Sequence, residues 1–191
     1  MTDNRLEELL KKQAIVDIVY RYARAIDRLD EALLRSCFHP GSTHRHFFEG
    51  PSSDSSLPSS DDNPADFVAF ALGRLCTYSR THHQMGNVII DFTNTDEATV
   101  ETYFTAFHRI RPIGDPLAGE QACDTEMDYF VGGRYIDQFQ RRNNVWGIVS
   151  RIGMTDWVRL EAPSSQGFSL IAPDTIGKRA PDDLICQHYQ T

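Results

Sequence analysis

The chain has 191 residues, of which 40% are hydrophobic and 24% are charged, and its formal net charge is −8 at pH 7. This length gives a single domain a full core, and the composition is that of a folded protein. The acidic balance and the lack of a basic stripe argue against nucleic acid or an anionic membrane as a partner. Because no apolar run reaches the length of a bilayer span and no export signal is present, we expect a cytoplasmic protein.

The cysteine spacing and the absence of certain short motifs exclude several classes of site. The four cysteines include no C-x-x-C pair, so we predict neither a disulfide framework nor a thiolate metal site. They are Cys37, Cys76, Cys123 and Cys186. The chain has no Gly-rich nucleotide-binding motif and no G-x-S-x-G turn, which argues against nucleotide binding and serine nucleophiles.

The first part of the chain has the periodicity of helices. Apolar residues recur at helical spacing from Leu6 to Ile26, which predicts a helix ending near residue 28, with a break near Lys11. Asp30 is placed to cap a short second helix. A short strand is predicted at 44–48, and a further amphipathic helix at 65–78.

Between that strand and helix, residues 50–64 are rich in serine, proline and aspartate and show no periodicity. They predict a surface loop, and two interpretations remain open for it. It is either a lid at the mouth of a pocket or a solvated insertion.

From residue 82 onward the pattern has a period of two, which is typical of strands. The predicted strands are 82–92, 97–110, 125–141 and 145–158. Gly132 and Gly133 lie inside one of them and indicate a bulge or bend. Helices followed by a run of antiparallel strands predict an α+β fold, in which the N-terminal helices pack in the concave face of a strongly curved antiparallel sheet. We expect one domain over 1–160 and a C-terminal tail over 161–191.

Two polar residues are placed to meet inside this fold. Neighbours on a strand point to opposite faces, so only one of His82 and His83 faces the interior, and His83 shares its face with Met85. Asp27 lies at the edge of the apolar stripe of the first helix, where an unpaired carboxylate is costly. A histidine partner resolves that cost, so we predict that His83 and Asp27 are in contact. The alternative is that each is an ordinary structural or surface group.

Three segments of the chain resemble the SnoaL-like branch of the nuclear transport factor 2-like superfamily. They are IVYRYARAID at 18–27, THHQMGN at 81–87, and GRYIDQF at 133–139 with WGIVSR at 146–151. The resemblance implies a cone-shaped, cystatin-like α+β barrel. Relatives include scytalone dehydratase, hexachlorocyclohexane dehydrochlorinase, bile-acid 7α-dehydratase, ketosteroid isomerase and polyketide cyclases. Their shared chemistry implies cofactor-free proton abstraction from a small hydrophobic molecule, so no cofactor is expected.

The resemblance also assigns roles to individual residues. The family's histidine–aspartate dyad falls on His83 and Asp27, its tyrosine on Tyr22, and its late-strand arginine on Arg151. His108 stands where the scytalone dehydratase type has a second pocket histidine. Further candidates for contacts with the substrate are His46, Phe47, Phe70, Tyr103 and Phe104. Many close relatives have an aspartate where this chain has Gly41, and the insertion at 50–64 is unusual, so the substrate identity is not carried over.

The leading hypothesis is a cofactor-independent lyase, dehydratase-like or deformylating, acting on an aromatic or alicyclic molecule. In it His83 moves the proton, Asp27 orients the imidazole, and Tyr22 and Arg151 polarise a substrate oxygen. An isomerase or cyclase with the same pocket is the alternative within this chemistry. A ligand-binding or oligomerisation module without catalysis is the alternative outside it.

Two further expectations concern metal binding and self-association. His44 and His46 share a strand face, and His83 could join them, but no carboxylate at matching spacing supports a metal site, so we predict none. Under either hypothesis we expect a homo-oligomer, a dimer or a trimer.

Overall fold

The computed structural model describes residues 4–46, 64–164 and 170–188. Three helices pack on one face of a curled, open sheet of five strands, which confirms the predicted α+β fold. The elements, in chain order, are α1 (Asn4–Arg28), α2 (Glu31–Ser36), β1 (Phe38–His46), α3 (Pro64–Leu75), β2 (Tyr78–Asn94), β3 (Glu97–Ile110), β4 (Met127–Arg142), β5 (Val145–Glu161), a 3-10 turn (Pro173–Thr175) and α4 (Leu184–His188).

The sheet has the strand order β1-β5-β4-β3-β2. Strands β2 to β5 form an antiparallel meander, whereas β1 runs parallel to β5 at one edge. The sheet is therefore mixed: the predicted run of antiparallel strands is confirmed for β2 to β5, and β1 joins it in parallel. β1 also begins at Phe38, six residues before the predicted start at 44. The prediction missed these residues because Pro40 and Gly41, which are uncommon inside strands, interrupt the strand pattern.

Helix α1 is continuous, so the predicted break near Lys11 was wrong. Nζ of Lys11 lies 2.8 Å from a carboxylate oxygen of Glu7, and Nζ of Lys12 lies 2.7 Å from one of Glu8; each pair is one helical turn apart. Such pairs support a helix rather than interrupt it. From Ile15 onward the apolar stripe of α1 is buried, whereas three leucines in its first turns are exposed: Leu6, Leu9 and Leu10.

The core lies between α1, α3 and the concave face of the sheet. Along β3 every second residue from Ala98 to Ile110 faces this core, as the alternation predicted. The register shifts between Gly132 and Gly133 where β4 pairs with β5, so the predicted bulge is confirmed. A Cβ at Gly133 would clash with the backbone oxygen of Met154, so the strands approach too closely there for a side chain.

Two of the predicted regions are described only in part. Of the insertion at 50–64, only residue 64 is described, so the choice between lid and solvated insertion lies outside the described residues. The tail, predicted from residue 161, is described over 161–164 and 170–188; its first residue ends β5, and the later part contains the 3-10 turn and α4. No helix in the part of the chain that is described is both long and apolar enough to cross a membrane.

Candidate active site

The structure brings His83 and Asp27 together. Asp27 lies in the last turn of α1, and His83 lies on β2. The His83 ring Nδ1 is 2.8 Å from one carboxylate oxygen of Asp27, and the His83 backbone N–H donates to the other oxygen at 2.8 Å. Both side chains are nearly excluded from solvent. The carboxylate is therefore bound to ring and backbone of the same residue, which fixes the orientation of the imidazole.

The surroundings keep the Asp27 carboxylate ionised. Burial raises the pKa of Asp27, but the hydrogen bonds and charge of His83 outweigh burial, and the net pKa lies below the ordinary value of 3.8. An ionised carboxylate only accepts hydrogen bonds, so Nδ1 of His83 must be the protonated nitrogen in this pair. Nε2 is then the nitrogen that is free of the carboxylate.

A cavity of about 130 Å³ lies between α1, α3 and the sheet. His83 is part of its wall, together with one other histidine, seven phenol or phenyl rings and several aliphatic side chains. The lining residues that matter for the chemistry are Tyr22, Arg74, Tyr78, His83, Phe104, His108, Tyr129 and Tyr135. Phe70 and Met154 also line it and are themselves exposed, so they mark its open side.

His108 stands next to His83 in the cavity wall. The two rings are 5.0 Å apart, edge to face, and Tyr78 and Tyr129 lie against the other sides of His108 at 4.8 Å and 5.7 Å. Burial and the neighbouring His83 hold the pKa of His108 well below its ordinary value of 6.5. Its buried Nδ1 has no hydrogen-bond partner among the described residues. His108 is therefore a neutral imidazole beside the proposed base.

Tyr22 lines the cavity, whereas Arg151 does not. The guanidinium of Arg151 is stacked between two rings, 4.0 Å from the centre of Tyr22 and 4.2 Å from that of Tyr135. It donates two hydrogen bonds to Asp137, at 2.7 Å and 2.6 Å. The expected direct contact of Arg151 with a substrate oxygen is therefore corrected, because two phenol rings separate it from the cavity.

The electrostatics of this group follow from its burial. Burial disfavours a charged Arg151, but the charge and hydrogen bonds of Asp137 outweigh it and raise the pKa of Arg151. Burial likewise raises the pKa of Tyr22 and of Tyr135. Both phenols therefore stay protonated near neutral pH.

Of the aromatic residues predicted to line the pocket, some line the cavity and one points away from it. Phe104 lines the cavity and stacks on Tyr135 at 4.4 Å, and Phe70 lines it from α3. Tyr103 is 41% exposed, on the opposite face of β3 from Phe104, so its assignment to the pocket was wrong. Phe47 and the side chain of His46 lie outside the described residues, so their assignments stay predictions.

A second, open cavity of about 350 Å³ lies on the outer side of the dyad. It is lined by the carboxylate side of the pair and by cationic and polar groups of α1 and β2: Arg24, Asp27, Arg28, His82, His83 and Gln84. His83 lines both cavities, whereas Asp27 lines the outer cavity and not the inner one. The imidazole thus stands between an apolar chamber and a solvent-facing groove.

The part of the chain that is described contains neither a cluster of metal-ligating side chains nor a disulfide. No group of three or more histidine, cysteine or acidic side chains there could hold a metal ion. His44, one of the three imidazoles considered above, stacks face to face on Phe67 at 3.4 Å. All four cysteines are free, and burial raises the pKa of the Cys37 thiol to about 11, which keeps it protonated and unreactive.

Several residues of the site were missed by the sequence reasoning. Arg74 of α3 and the tyrosines Tyr78 and Tyr129 line the cavity, and Asp137 holds Arg151. One signal could have revealed Asp137, because an aspartate between Tyr135 and Phe139 on the inward-facing side of a strand requires a cationic partner. Nothing comparable distinguishes Arg74, whose position over the cavity depends on how α3 packs.

Comparisons with known proteins agree with this architecture. The model of the SnoaL-like domain family matches residues 7–152. The chain is similar to a hexachlorocyclohexane dehydrochlorinase (LinA, type 2), with a TM-score of 0.67 and 17% identity over 91% of this chain and 100% of that chain. It is also similar to a scytalone dehydratase-like protein of Novosphingobium aromaticivorans, with a TM-score of 0.61 and 17% identity over 83% and 96% of the two chains.

A third similar structure is a Nostoc punctiforme protein with a cystatin-like fold, with a TM-score of 0.54 and 20% identity over 77% and 92% of the two chains. No curated protein matches the chain significantly. At these identities the similar structures show the fold and leave the activity open. The family match covers most of the chain, and the expected resemblance is confirmed: the chain belongs to the SnoaL-like family of the nuclear transport factor 2-like superfamily.

Proposed function

We propose that this protein is a cofactor-independent lyase that removes a carbon-bound proton and an adjacent leaving group from a small hydrophobic ring compound. One observation carries the proposal. His83 lines an apolar cavity while its Nδ1 is 2.8 Å from the ionised carboxylate of Asp27. That arrangement fixes the tautomer of a general base and stabilises the imidazolium once it forms.

The residues divide the work of such an elimination. Nε2 of His83 takes the proton from carbon, the electrons of that bond form a double bond, and the leaving group departs from the neighbouring atom. Asp27 holds the imidazole and offsets its new charge. If the leaving group is an oxygen, the Tyr22 hydroxyl can protonate it and then regain a proton from the His83 imidazolium, while the neutral His108 can donate a hydrogen bond to it. The reaction is balanced without a redox partner.

The cavity also limits the size of the substrate. An engineered apolar cavity of about 150 Å³ holds benzene, so a volume of about 130 Å³ suits one six-membered ring. Hexachlorocyclohexane, the compound named for the similar dehydrochlorinase, is such a ring. Arg74 lines the cavity, and its charge acts on both His108 and Tyr129. A ring that carries an electron-rich oxygen or halogen substituent would suit that side of the wall.

The same constellation supports isomerisation as a second function. If the substrate lacks a leaving group, the proton held on His83 can return to another carbon of the same ring. The neutral donors at Tyr22 and His108 then stabilise the intermediate enolate. Products of unchanged mass would identify this reaction.

The experiment is a screen of single-ring compounds for conversion without added cofactor and in the presence of a chelator. The panel contains hydroxylated and halogenated alicyclic rings, ring ketones and substituted phenols, and it includes lignin-derived dimers as a size control. His83→Ala, purified in parallel, serves as the blank for contaminating activity. Conversion by wild type alone supports the proposal. Conversion that requires a metal ion or nicotinamide, or equal conversion by both proteins, would refute it.

We further propose that the protein is a homo-oligomer. Three leucines at the start of α1 are exposed by more than half, as are Val158 and Leu160 near the end of β5. Burial of such side chains between copies of the chain would be favourable. Light scattering coupled to size-exclusion chromatography measures the mass directly, and a mass near 21.7 kDa would contradict the proposal.

A further inference from the structure

The residues 178–185, here called the C-terminal segment, lie beyond the part of the chain that matches the family and contact the end of α1. The backbone N–H of Ala180 donates to the carbonyl of Arg28 at 2.9 Å. The carboxylate of Asp183 lies 3.3 Å from Nε of the same arginine. Arg28 directly follows Asp27, so the segment holds the last residue of the helix that carries the site carboxylate.

The segment also contacts the strand that carries His83. Nη2 of Arg179 donates to the carbonyl of Tyr78, the first residue of β2, at 3.1 Å. Tyr78 lines the cavity and lies against the ring of His108. A single short segment therefore connects the two elements whose relative position sets the distance between Asp27 and His83.

The Asp183 side chain is held in a fixed position. Its side chain is almost fully buried, and it accepts the backbone N–H of Lys178 at 2.8 Å and that of Ile185 at 3.1 Å. Burial raises the pKa of Asp183, but these hydrogen bonds and the charge of Arg28 outweigh burial and lower it. The Asp183 carboxylate is thus ionised, and hydrogen bonds within its own segment hold it in the position from which it contacts Arg28.

The end of α1 needs such support. Asp27 is the second-last residue of the helix, and the last carbonyls of a helix lack partners within it. Helix ends open locally more easily than helix centres do. The next residue, Leu29, has a φ of 54°, so the chain turns away at once. Without an outside partner the last turn would allow the Asp27 carboxylate to move relative to the imidazole.

We propose that Asp183 and Arg179 are positioning residues that hold the His83–Asp27 pair in register from outside the family domain. Asp183 acts on the helix side through Arg28, and Arg179 acts on the strand side through Tyr78. The catalytic consequence rests on the function proposed above, whereas the effect on the geometry of the pair does not.

The test uses the full-length chain labelled with ¹⁵N-histidine, in which ring nitrogen shifts report the tautomer of each imidazole. The His83 signals are identified by their absence from His83→Ala. In wild type we expect the Nδ1-protonated tautomer, and in Asp183→Ala a mixture of both tautomers. On a substrate found in the screen, kcat should fall roughly tenfold or more, with KM nearly unchanged, as expected for a misplaced base. Asp182→Ala, an exposed neighbour, is the matched control and should behave as wild type.

The outcomes separate this inference from the proposed function. A His83 tautomer that is the same in wild type and Asp183→Ala would overturn the inference, whatever the activity. A changed tautomer supports it even if wild type converts no compound in the screen, in which case the proposed function alone fails. If Asp183→Ala does not give the spectrum of a folded protein, Arg179→Gln decides. It removes the hydrogen bond to the Tyr78 carbonyl together with the charge of Arg179, and an unchanged His83 tautomer in that variant would overturn the inference.

Discussion

Replacing Asp137 by asparagine would leave the guanidinium of Arg151 in the core without its counter-charge. The side chains of both residues are fully buried, and Asp137 accepts both of the hydrogen bonds that Arg151 is seen to donate. Removal of one partner from a buried ion pair costs about 3–5 kcal/mol. In a domain of this size the loss corresponds to roughly 6–20 °C in Tm. It is a large fraction of a total stability of about 5–15 kcal/mol.

The assay is urea unfolding of Asp137→Asn at pH 7, followed by circular dichroism. Glu31→Gln, which removes an exposed ion pair with Arg35, is the control and should lose less than about 0.5 kcal/mol. A double variant, Asp137→Leu with Arg151→Met, should regain most of the loss, since an apolar pair can replace a buried ion pair at little cost. A loss below about 1 kcal/mol in Asp137→Asn would refute the reasoning.

Three further substitutions test the site carboxylate and two glycines with opposite surroundings. Because the pKa of Asp27 is lower in the folded state than the ordinary value of 3.8, its stabilising effect is complete above that pH and is lost as the pH falls below it. The difference in unfolding free energy between wild type and Asp27→Asn should therefore shrink below about pH 4, and a difference independent of pH would contradict the pairing with His83. Gly133→Ala should cost about 1–3 kcal/mol, because its methyl group would meet the backbone of Met154. Gly73→Ala, with open space around it in α3, should gain about 0.5–1 kcal/mol, and thermal melts that show equal effects for the two glycines would contradict both assignments.

The contact between His83 and Asp27 was predictable because each half of it follows from a local period. Strand alternation selects His83 over His82, and helical spacing places Asp27 at the edge of a buried stripe. The same rule, applied strictly, would have excluded Tyr103, since Tyr103 and Phe104 are neighbours on one strand and cannot both face the cavity.

The depth of Arg151 was not predictable from its own strand. Arg151 and Gly153 are two residues apart on β5 and share a face of the strand, and Gly153 lines the cavity. Whether Arg151 reaches the substrate depends on Asp137, which lies opposite it on β4, and on the rings of Tyr22 and Tyr135. Those contacts arise from register and packing between elements that are far apart in the chain.

The parallel edge strand and the tail contacts have the same origin. β1 pairs with β5 across about a hundred residues of sequence, and no local pattern encodes the direction of that pairing. Ala180 meets the end of α1 across a still longer separation. Local periods therefore predict which elements form and which face is buried, whereas the partners at the sheet edge and at the end of α1 require the tertiary structure.

The most direct test of the central claim is the turnover number of His83→Ala on the best compound from the screen. General-base catalysis contributes at least about a hundredfold to the rate. We therefore predict a fall in kcat of that size or more in a variant that still folds as judged by circular dichroism. An undiminished kcat would contradict the claim that the imidazole held by Asp27 moves the proton.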